Sequence, residues 1–223
     1  MMALKYKCLI LDHDDTAVKS TPEIHYPSFV EALNDLRPNE PTLTLQEFVR
    51  HCFNPGFSAL CKEIIQFTEE EQRHQQAVWK QYTESNVPDF YEGFVETIQE
   101  FKRQGGIVAV VSHSERSRIE RDYQIHCGFS PDAIFGWELP EKQRKPHPYP
   151  IQQILKSFEL HKSEALMVDD LRPGLEMAKS CQVDFAAAGW SHSIPEIKEQ
   201  MRKESNYYFE AVEQFHAFIL EKS

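Results

Sequence analysis

The stretch LILDHDDTAV at residues 9–18 decides the fold, because an apolar run ends there in three carboxylates. Asp12, Asp14 and Asp15 carry like charges that repel one another at this spacing. Two interpretations are open: a cation binds among the carboxylates, or they lie in a solvated turn. The apolar part of the stretch is typical of a buried strand in a parallel sheet, so the residues that follow the other apolar runs become informative.

Three later apolar runs have the same character, namely GIVAVVS at 106–112, ALMVDD at 165–170 and VDFAAAG at 183–189. AIFGW at 133–137 is a candidate for a fifth strand. Helical patterns with one apolar face lie between these runs, at 94–104 and at 148–158. Strands and helices in alternation predict an α/β fold with a doubly wound, Rossmann-like parallel sheet.

Residues 20–88 break this rhythm, because they show helical patterns between proline-containing turns and no convincing strand. The simplest interpretation is an all-helical module inserted after the first strand. The alternative is a set of surface helices on a single domain. We predict an α/β core formed by residues 1–19 and 89–223, with a helical insert at 20–88.

Composition and charge exclude several classes of function. The net charge is −11 at pH 7, and a phosphate backbone would be repelled by such a field, so we expect no nucleic-acid partner. No apolar stretch is long enough to predict a membrane span or a signal peptide. The five cysteines are scattered and form no zinc-binding spacing, which is typical of reduced thiols. We therefore expect a cytoplasmic protein, and the oligomeric state stays open.

The residues that follow the predicted strands should converge, because ligands of open parallel sheets bind beside the carboxyl ends of the strands. Lys145 in RKPHPYP, just before the predicted helix at 148–158, should lie close to these residues. The set comprises Asp12, Asp14, Ser112, His113, Lys145, Asp169 and Asp170, together with the loop that follows VDFAAAG. Several carboxylates in one crevice need a compensating charge, and Mg²⁺ is a hard cation that prefers oxygen ligands.

These residue types suit phosphoryl transfer to an aspartate. A carboxylate such as Asp12 can attack phosphorus and form an aspartyl-phosphate, while Lys145 screens the repulsion from the incoming phosphate. Ser112 and nearby backbone N–H groups can hold the non-bridging oxygens. Each motif has a simpler explanation by itself: a solvated turn for DxD, a rigid loop for KPHP, and an acidic helix N-terminus for VDDLRPG. Their order along the chain favours the catalytic interpretation.

The same motifs resemble those of the haloacid dehalogenase superfamily of hydrolases. LILDHDDT matches an apolar strand followed by DxDxT, and VAVVS matches a strand that ends in Ser or Thr. KPHP matches a lysine ahead of a helix, and LMVDD matches a strand that ends in paired acids. The helical insert is similar to the type 1 cap of phosphoglycolate phosphatases and β-phosphoglucomutases.

The resemblance implies a role for each matched residue. Asp12 is implied as the nucleophile and a direct Mg²⁺ ligand, and Asp14 as the general acid and base, with its carbonyl also on the metal. Ser112 and Lys145 correspond to the phosphate-holding pair, and we expect His113, next to Ser112, to bind the substrate phosphate with them. Asp170 aligns with the acidic ligand common to most members, and Asp169 with the preceding acid of the paired version. In an alternative spacing of the family, a further Asp stands where this chain has Gly174.

The chain departs from the family at two positions. Asp15 stands where many relatives have Gly, at a backbone position with positive φ that Asp tolerates better than most residues. His13 stands where an apolar residue is commoner, and we interpret it as a packed or solvent-facing ring rather than a catalyst.

The presence of Asp14 favours phosphatase chemistry over dehalogenation, because Asp14 can protonate a departing alkoxide. We therefore expect a Mg²⁺-dependent phosphatase that hydrolyses a small phosphate monoester. Two alternatives stay open: a β-phosphoglucomutase-like phosphomutase, and a catalytically silent binding module.

Overall fold

The fold is built around strand β1, whose four residues are all buried. The computed structural model describes residues 4–221, and its strands form one sheet in the order β3-β2-β1-β4-β5-β6, with every neighbouring pair parallel. The strands are β1 (Cys8–Leu11), β2 (Ile107–Val111), β3 (Ala133–Phe135), β4 (Ala165–Asp169), β5 (Asp184–Ala188) and β6 (Tyr207–Phe209). This topology confirms the predicted doubly wound α/β fold, including the candidate strand at 133–137.

Helices connect the strands, and helices joined by short loops form the insert. They are α1 (Tyr26–Leu36), α2 (Leu45–Phe53), α3 (Phe57–Ala59), α4 (Glu69–Ser85), α5 (Phe94–Arg103), α6 (Arg116–Cys127), α7 (Tyr149–Ser157), α8 (Arg172–Cys181), α9 (Pro195–Glu204) and α10 (Val212–Ile219). Short π-helical turns at Thr21–His25 and Leu60–Ile64 adjoin α1 and α3. The helices predicted at 94–104 and 148–158 are confirmed to within one residue at each end as α5 and α7.

The register of the central strands fixes which residues leave the sheet together. Leu11 is paired with Val110 of β2 and with Val168 of β4. The residue that follows Leu11 continues the ladder, because the Asp12 amide donates to the Val168 carbonyl at 2.9 Å. The carboxyl ends of β1, β2 and β4 therefore lie side by side at one edge of the sheet.

Strand β6 was not predicted from the sequence. It is only three residues long and lies at the edge of the sheet, and two of its residues, Tyr207 and Tyr208, are partly exposed. A short edge strand has neither the length nor the continuous apolar run that marks the buried strands.

Contacts divide the chain into two compact units, one containing the chain up to Val18 and from Phe90 onward, the other Lys19–Asp89. In the first unit, the predicted apolar face of α5 is buried at Phe94, Ile98 and Phe101 within the core around the sheet. Within residues 4–221, none of the helices combines the length and the apolarity that crossing a bilayer requires.

The helical unit Lys19–Asp89 has a hydrophobic core of its own. Phe29 lies at its centre, fully buried, with ring centroids 5.0 Å from Phe48 and 6.2 Å from Phe67. Helices α2 and α4 both begin with a capping box, in which a threonine and the glutamate three residues later satisfy each other's backbone N–H groups. Aromatic packing and capped helix ends together account for the formation of this unit.

The aromatic core of the helical unit makes a stability prediction. Phe29→Ala removes a fully buried ring and leaves a cavity, so we expect a loss of about 3–5 kcal/mol in the free energy of unfolding. Ile64→Ala is a control in the same unit, because Ile64 is exposed, and we expect a change within about 0.5 kcal/mol. Urea denaturation followed by circular dichroism measures both. Equal effects of the two substitutions would contradict this description of the core.

Candidate active site

The loop after β1 is a tight turn held by its own backbone. The amides of Ala17 and Val18 both donate to the carbonyl of His13, and the Asp15 amide donates to the Val18 carbonyl at 2.8 Å. Asp15 itself has a φ of 57°, in the left-handed region. The structure therefore confirms that Asp occupies a position with positive φ, a conformation that short polar side chains tolerate.

Three carboxylates meet at the edge of the sheet. Ligand oxygens of Asp12, Asp169 and Asp170 all lie within 4.8 Å of one another. All three residues are almost fully buried, with exposures of 5%, 1% and 2%. They come from the ends of β1 and β4, which are neighbours in the sheet. The turn is therefore not a solvated one at Asp12.

A buried lysine bridges two of these carboxylates. Lys145 Nζ lies 2.7 Å from Asp12 Oδ1 and 2.7 Å from Asp169 Oδ2. Burial alone would lower the pKa of this ammonium, but the two carboxylates raise it above its usual value, so Lys145 is charged. The other oxygen of Asp169 accepts the Leu171 amide at 2.8 Å. Both oxygens of Asp169 are thus engaged by donors of the protein.

Asp170 is held differently, by a hydroxyl and an imidazole. Thr16 Oγ1 donates to Asp170 Oδ1 at 3.2 Å, and His192 Nε2 lies 2.8 Å from Asp170 Oδ2. Burial, reinforced by the nearby Asp12 carboxylate, raises the pKa of Asp170 to about 8. An ionised Asp170 in this position therefore needs a further positive charge close by.

The charge balance of the cluster indicates which kind of ion it suits. When all four side chains are ionised, the three carboxylates and the Lys145 ammonium leave two negative charges uncompensated. The atoms that could bind a cation are carboxylate oxygens, the ligand type that hard divalent cations prefer. The residues present therefore fit a divalent metal ion such as Mg²⁺.

Asp14 lies apart from the three-carboxylate cluster and faces the end of β2. Its Oδ2 accepts a hydrogen bond from Ser114 Oγ at 2.6 Å and a longer one from Ser112 Oγ at 3.3 Å. Ser112 Oγ in turn accepts the Ser114 amide at 3.2 Å. The structure thus brings together the predicted Asp14 and Ser112 and adds Ser114, a residue that the sequence analysis missed.

His113 follows Ser112 directly after the end of β2. Its Nε2–H donates to the Lys145 carbonyl at 3.2 Å, and its ring meets Trp137 edge-on. The side chain therefore contacts the loop that carries Lys145.

His13 lies on the opposite side of the turn from Asp12 and Asp14. It is buried, its Nε2 lies 3.1 Å from Asp122 Oδ2, and its ring packs near Phe90 and Tyr123. The interpretation of His13 as a packed ring is confirmed.

The sequence analysis missed three residues that contact the acidic side chains: Ser114, Thr16 and His192. They differ in how far the sequence alone could have indicated them. Ser114 stands two residues after Ser112, so its spacing placed it on the same side of the chain. Thr16 is part of the DxDxT pattern, although no contact was assigned to it. His192 lies 22 residues beyond Asp170 in the loop after β5. That loop was expected at this edge of the sheet, but nothing local in the sequence marks His192 within it.

Comparison with known proteins agrees with this geometry. A family model described as haloacid dehalogenase-like hydrolase matches residues 9–188. The pyrophosphatase PpaX from Bacillus cereus is 26% identical over 191 residues, which cover 84% of this chain and 85% of that protein.

Solved structures share the fold. The crystal structure of a predicted phosphoglycolate phosphatase from Haemophilus somnus superimposes with a TM-score of 0.73 at 22% identity, covering 95% of this chain and 96% of that one. CbbY from Rhodobacter sphaeroides in complex with phosphate gives a TM-score of 0.68 at 16% identity, covering 95% of each chain. Because the family model matches residues 9–188, which are most of this chain, the chain belongs to the haloacid dehalogenase-like hydrolase family.

Proposed function

We propose that this protein is a Mg²⁺-dependent phosphatase that hydrolyses a small phosphate ester through an aspartyl-phosphate at Asp12. The observation that carries the proposal is the buried cluster in which Asp12 contacts Lys145 and lies beside Asp170. A nucleophilic carboxylate, an ammonium able to meet phosphate oxygens and a set of cation ligands lie together there. Asp14, which faces the end of the neighbouring strand β2, adds a group that can act as acid and base.

We assign Asp12 and Asp170 as the side chains that hold Mg²⁺, with the backbone carbonyl of Asp14. Asp169 is the counter-ion of Lys145, because both of its oxygens already accept donors of the protein. The side chains that hydrogen-bond to the Asp170 oxygens are instead the Thr16 hydroxyl and the His192 imidazole. The bound Mg²⁺ would neutralise the cluster and polarise the phosphate group.

Asp12 and Asp14 carry out the bond changes in this proposal. An oxygen of Asp12 forms a bond to phosphorus, and the bond from phosphorus to the leaving oxygen breaks with its electron pair on that oxygen. Asp14 supplies the proton that the leaving oxygen takes up. Asp14 then removes a proton from a water molecule, and this water attacks phosphorus and releases phosphate and the free Asp12 carboxylate.

Lys145 and Ser112 would hold the non-bridging phosphate oxygens. The Lys145 ammonium is fixed 2.7 Å from the attacking carboxylate, so it can contact a phosphate placed for attack. Ser112 Oγ is a donor at the end of β2 that faces Asp14. We place His113 in a supporting position, since its bond to the Lys145 carbonyl fixes the loop that carries the ammonium.

The names of the relatives support a small phosphorylated substrate. One is a pyrophosphatase and another is described as a phosphoglycolate phosphatase, and both names denote hydrolysis of a phosphoryl group. We infer that the helical unit Lys19–Asp89 is the family's type 1 cap and that it carries selectivity for the leaving group. The five cysteines are free thiols, which supports a reducing, cytoplasmic location.

The first test is release of phosphate from p-nitrophenyl phosphate, phosphoglycolate and pyrophosphate, with Mg²⁺ and with EDTA. We expect hydrolysis of at least one of these by the wild type, in a Mg²⁺-dependent manner. Asp12→Asn should reduce turnover roughly a thousandfold or more, because the nucleophile is lost. Asp15→Asn is a control in the same turn, and it should stay within a few-fold of wild type because Asn also tolerates the φ of 57°.

Other outcomes would contradict the phosphatase proposal. Conversion of sugar phosphates into isomers without phosphate release would identify a mutase. Binding of Mg²⁺ and phosphate without turnover of any substrate would identify a silent binding module.

The neighbouring pair Asp169 and Asp170 allows a matched test of the metal assignment. Asp170→Asn removes a proposed ligand, so the Mg²⁺ concentration needed for half-maximal activity should rise more than about tenfold. Asp169→Asn weakens the hold on Lys145, so it should raise KM with much less effect on Mg²⁺ dependence. Mg²⁺ titrations at saturating substrate measure both variants. The reverse result would assign the metal to Asp169.

The role of Asp14 is tested by the basicity of the leaving group. Asp14→Asn should reduce kcat for alkyl phosphates by roughly a hundredfold or more, because an alkoxide needs a proton to depart. Aryl phosphates such as p-nitrophenyl phosphate leave as stabilised anions, so their formation of the aspartyl-phosphate should fall much less. Rapid-quench kinetics isolates this first step. An equal loss for both substrate classes would refute Asp14 as the acid.

A further inference from the structure

We propose that His192 is a positioning residue that orients the Asp170 carboxylate for the metal ion, and that the segment after β5 thereby sets the affinity for Mg²⁺. This segment, residues 189–192 with the sequence GWSH, is called the GWSH segment. The inference rests on the proposed function, in which Asp170 is a metal ligand. It adds a part of the chain that neither the four sequence motifs nor the relatives' names assign.

The contact between the two side chains is short and shielded from water. His192 Nε2 lies 2.8 Å from Asp170 Oδ2, and the two residues are 8% and 2% exposed. Thr16 Oγ1 donates to the other oxygen at 3.2 Å. With one donor on each oxygen, the plane of the carboxylate is fixed, and each oxygen keeps a lone pair for a cation.

An imidazole suits this task because its neutral form donates through Nε2–H without adding a positive charge. An ammonium at the same place would compete with the cation for Asp170. Side chains that hydrogen-bond to a metal ligand fix its orientation, and their loss typically weakens metal affinity by about 10- to 100-fold. His192 has the geometry of such a side chain toward Asp170.

The GWSH segment is itself anchored, so the position of His192 is defined. Trp190 Nε1 donates to the carbonyl of Thr16 at 3.1 Å, and Ser191 Oγ donates to the carbonyl of Ala188 at 2.6 Å. The Trp190 ring packs 5.7 Å from Phe215 in the core. The segment therefore joins the end of β5 to the turn after β1, and from there His192 reaches the end of β4.

Gly189 allows the segment to lie directly against β6. A Cβ atom at this position would come within 2.3 Å of the ring of Tyr208 and 2.7 Å of the Phe209 carbonyl. The ring of Tyr208 and the imidazole of His192 line the same small cavity beside Asp170. Within residues 4–221, the buried Tyr208 hydroxyl has no hydrogen-bond partner. Tyr208 is therefore a neighbour of His192 that makes no bond to Asp170.

This arrangement gives a set of matched variants. His192→Phe keeps a ring but removes the donor, whereas His192→Gln keeps an amide N–H at a similar reach. Tyr208→Phe removes one hydroxyl from the same cavity and leaves the contacts of Asp170 unchanged. Isothermal titration of the 223-residue chain with MgCl₂, in the absence of substrate, measures the Kd for Mg²⁺. Thermal unfolding in EDTA measures stability separately.

We expect His192→Phe to raise the Kd for Mg²⁺ by about tenfold or more, His192→Gln to restore it to within about threefold of wild type, and Tyr208→Phe to leave it unchanged. A lower Tm in EDTA with an unchanged Kd in His192→Phe would show a purely structural role and overturn the inference. Failure of His192→Gln to restore the affinity would overturn it as well. If His192→Phe does not fold, His192→Asn makes the same comparison, because its amide is too short to reach Asp170.

The failure of this inference is distinguishable from the failure of the proposed function. Undiminished affinity in every His192 variant, together with loss of binding in Asp170→Asn, would overturn the positioning role and leave the metal site intact. Absence of Mg²⁺ binding by the wild type would overturn the metal site and the positioning role together.

Discussion

The buried bridge from Lys145 to Asp12 and Asp169 is the interaction on which the rest of the site depends. Strands β1 and β4 are parallel neighbours in register, so their carboxyl ends bring these two carboxylates together. Without a cation between them, these two buried carboxylates would destabilise the fold, because an unpaired buried charge costs several kcal/mol. Lys145 supplies that cation from the loop before α7, and the bridge thereby holds this loop against the ends of both strands.

The bridge also explains why the adjacent acids Asp169 and Asp170 have different surroundings. Asp169 is directed to Lys145 and the start of α8, whereas Asp170 is directed to Thr16 and His192. A Cβ atom at Gly174 would lie 2.2 Å from Asp169 Oδ2, so the first turn of α8 passes directly over this carboxylate. The Asp169 carboxylate occupies the space that a side chain at 174 would need. In this chain, the acid at Asp169 and the glycine at 174 are therefore linked, because the Asp169 carboxylate packs directly against the backbone of Gly174.

The sequence predicted the parts of the structure whose signal is local. Continuous apolar runs marked the buried strands, and their polar ends marked the positions that meet at the sheet edge, including Lys145 more than 130 residues from Asp12. Strand β6 escaped because it has only three residues, two of them partly exposed, and so carries no such run. The loop after β5 was expected at this edge, but the contact of His192 with Asp170 was not, because it depends on the path of that loop, which strand order alone does not determine. The sequence likewise did not show that Asp169 contacts Lys145 while Asp170 contacts Thr16 and His192, since these contacts depend on which oxygen each donor reaches.

The first three residues of the DHDD turn at 12–15 face alternate sides. The odd member, His13, turns to the far side and pairs with Asp122 of α6, while Asp12 and Asp14 face the strand ends. The turn is thus fixed from both sides, and its carboxylates cannot separate to relieve their repulsion. On the proposed function, this rigidity couples the two ligands of the site. A phosphate dianion would enter a cluster that already carries two uncompensated negative charges, so its affinity must rise when a divalent cation is bound. By thermodynamic linkage the phosphate must raise the affinity for the cation by the same factor. The fixed carboxylates therefore make cation and phosphate binding mutually dependent.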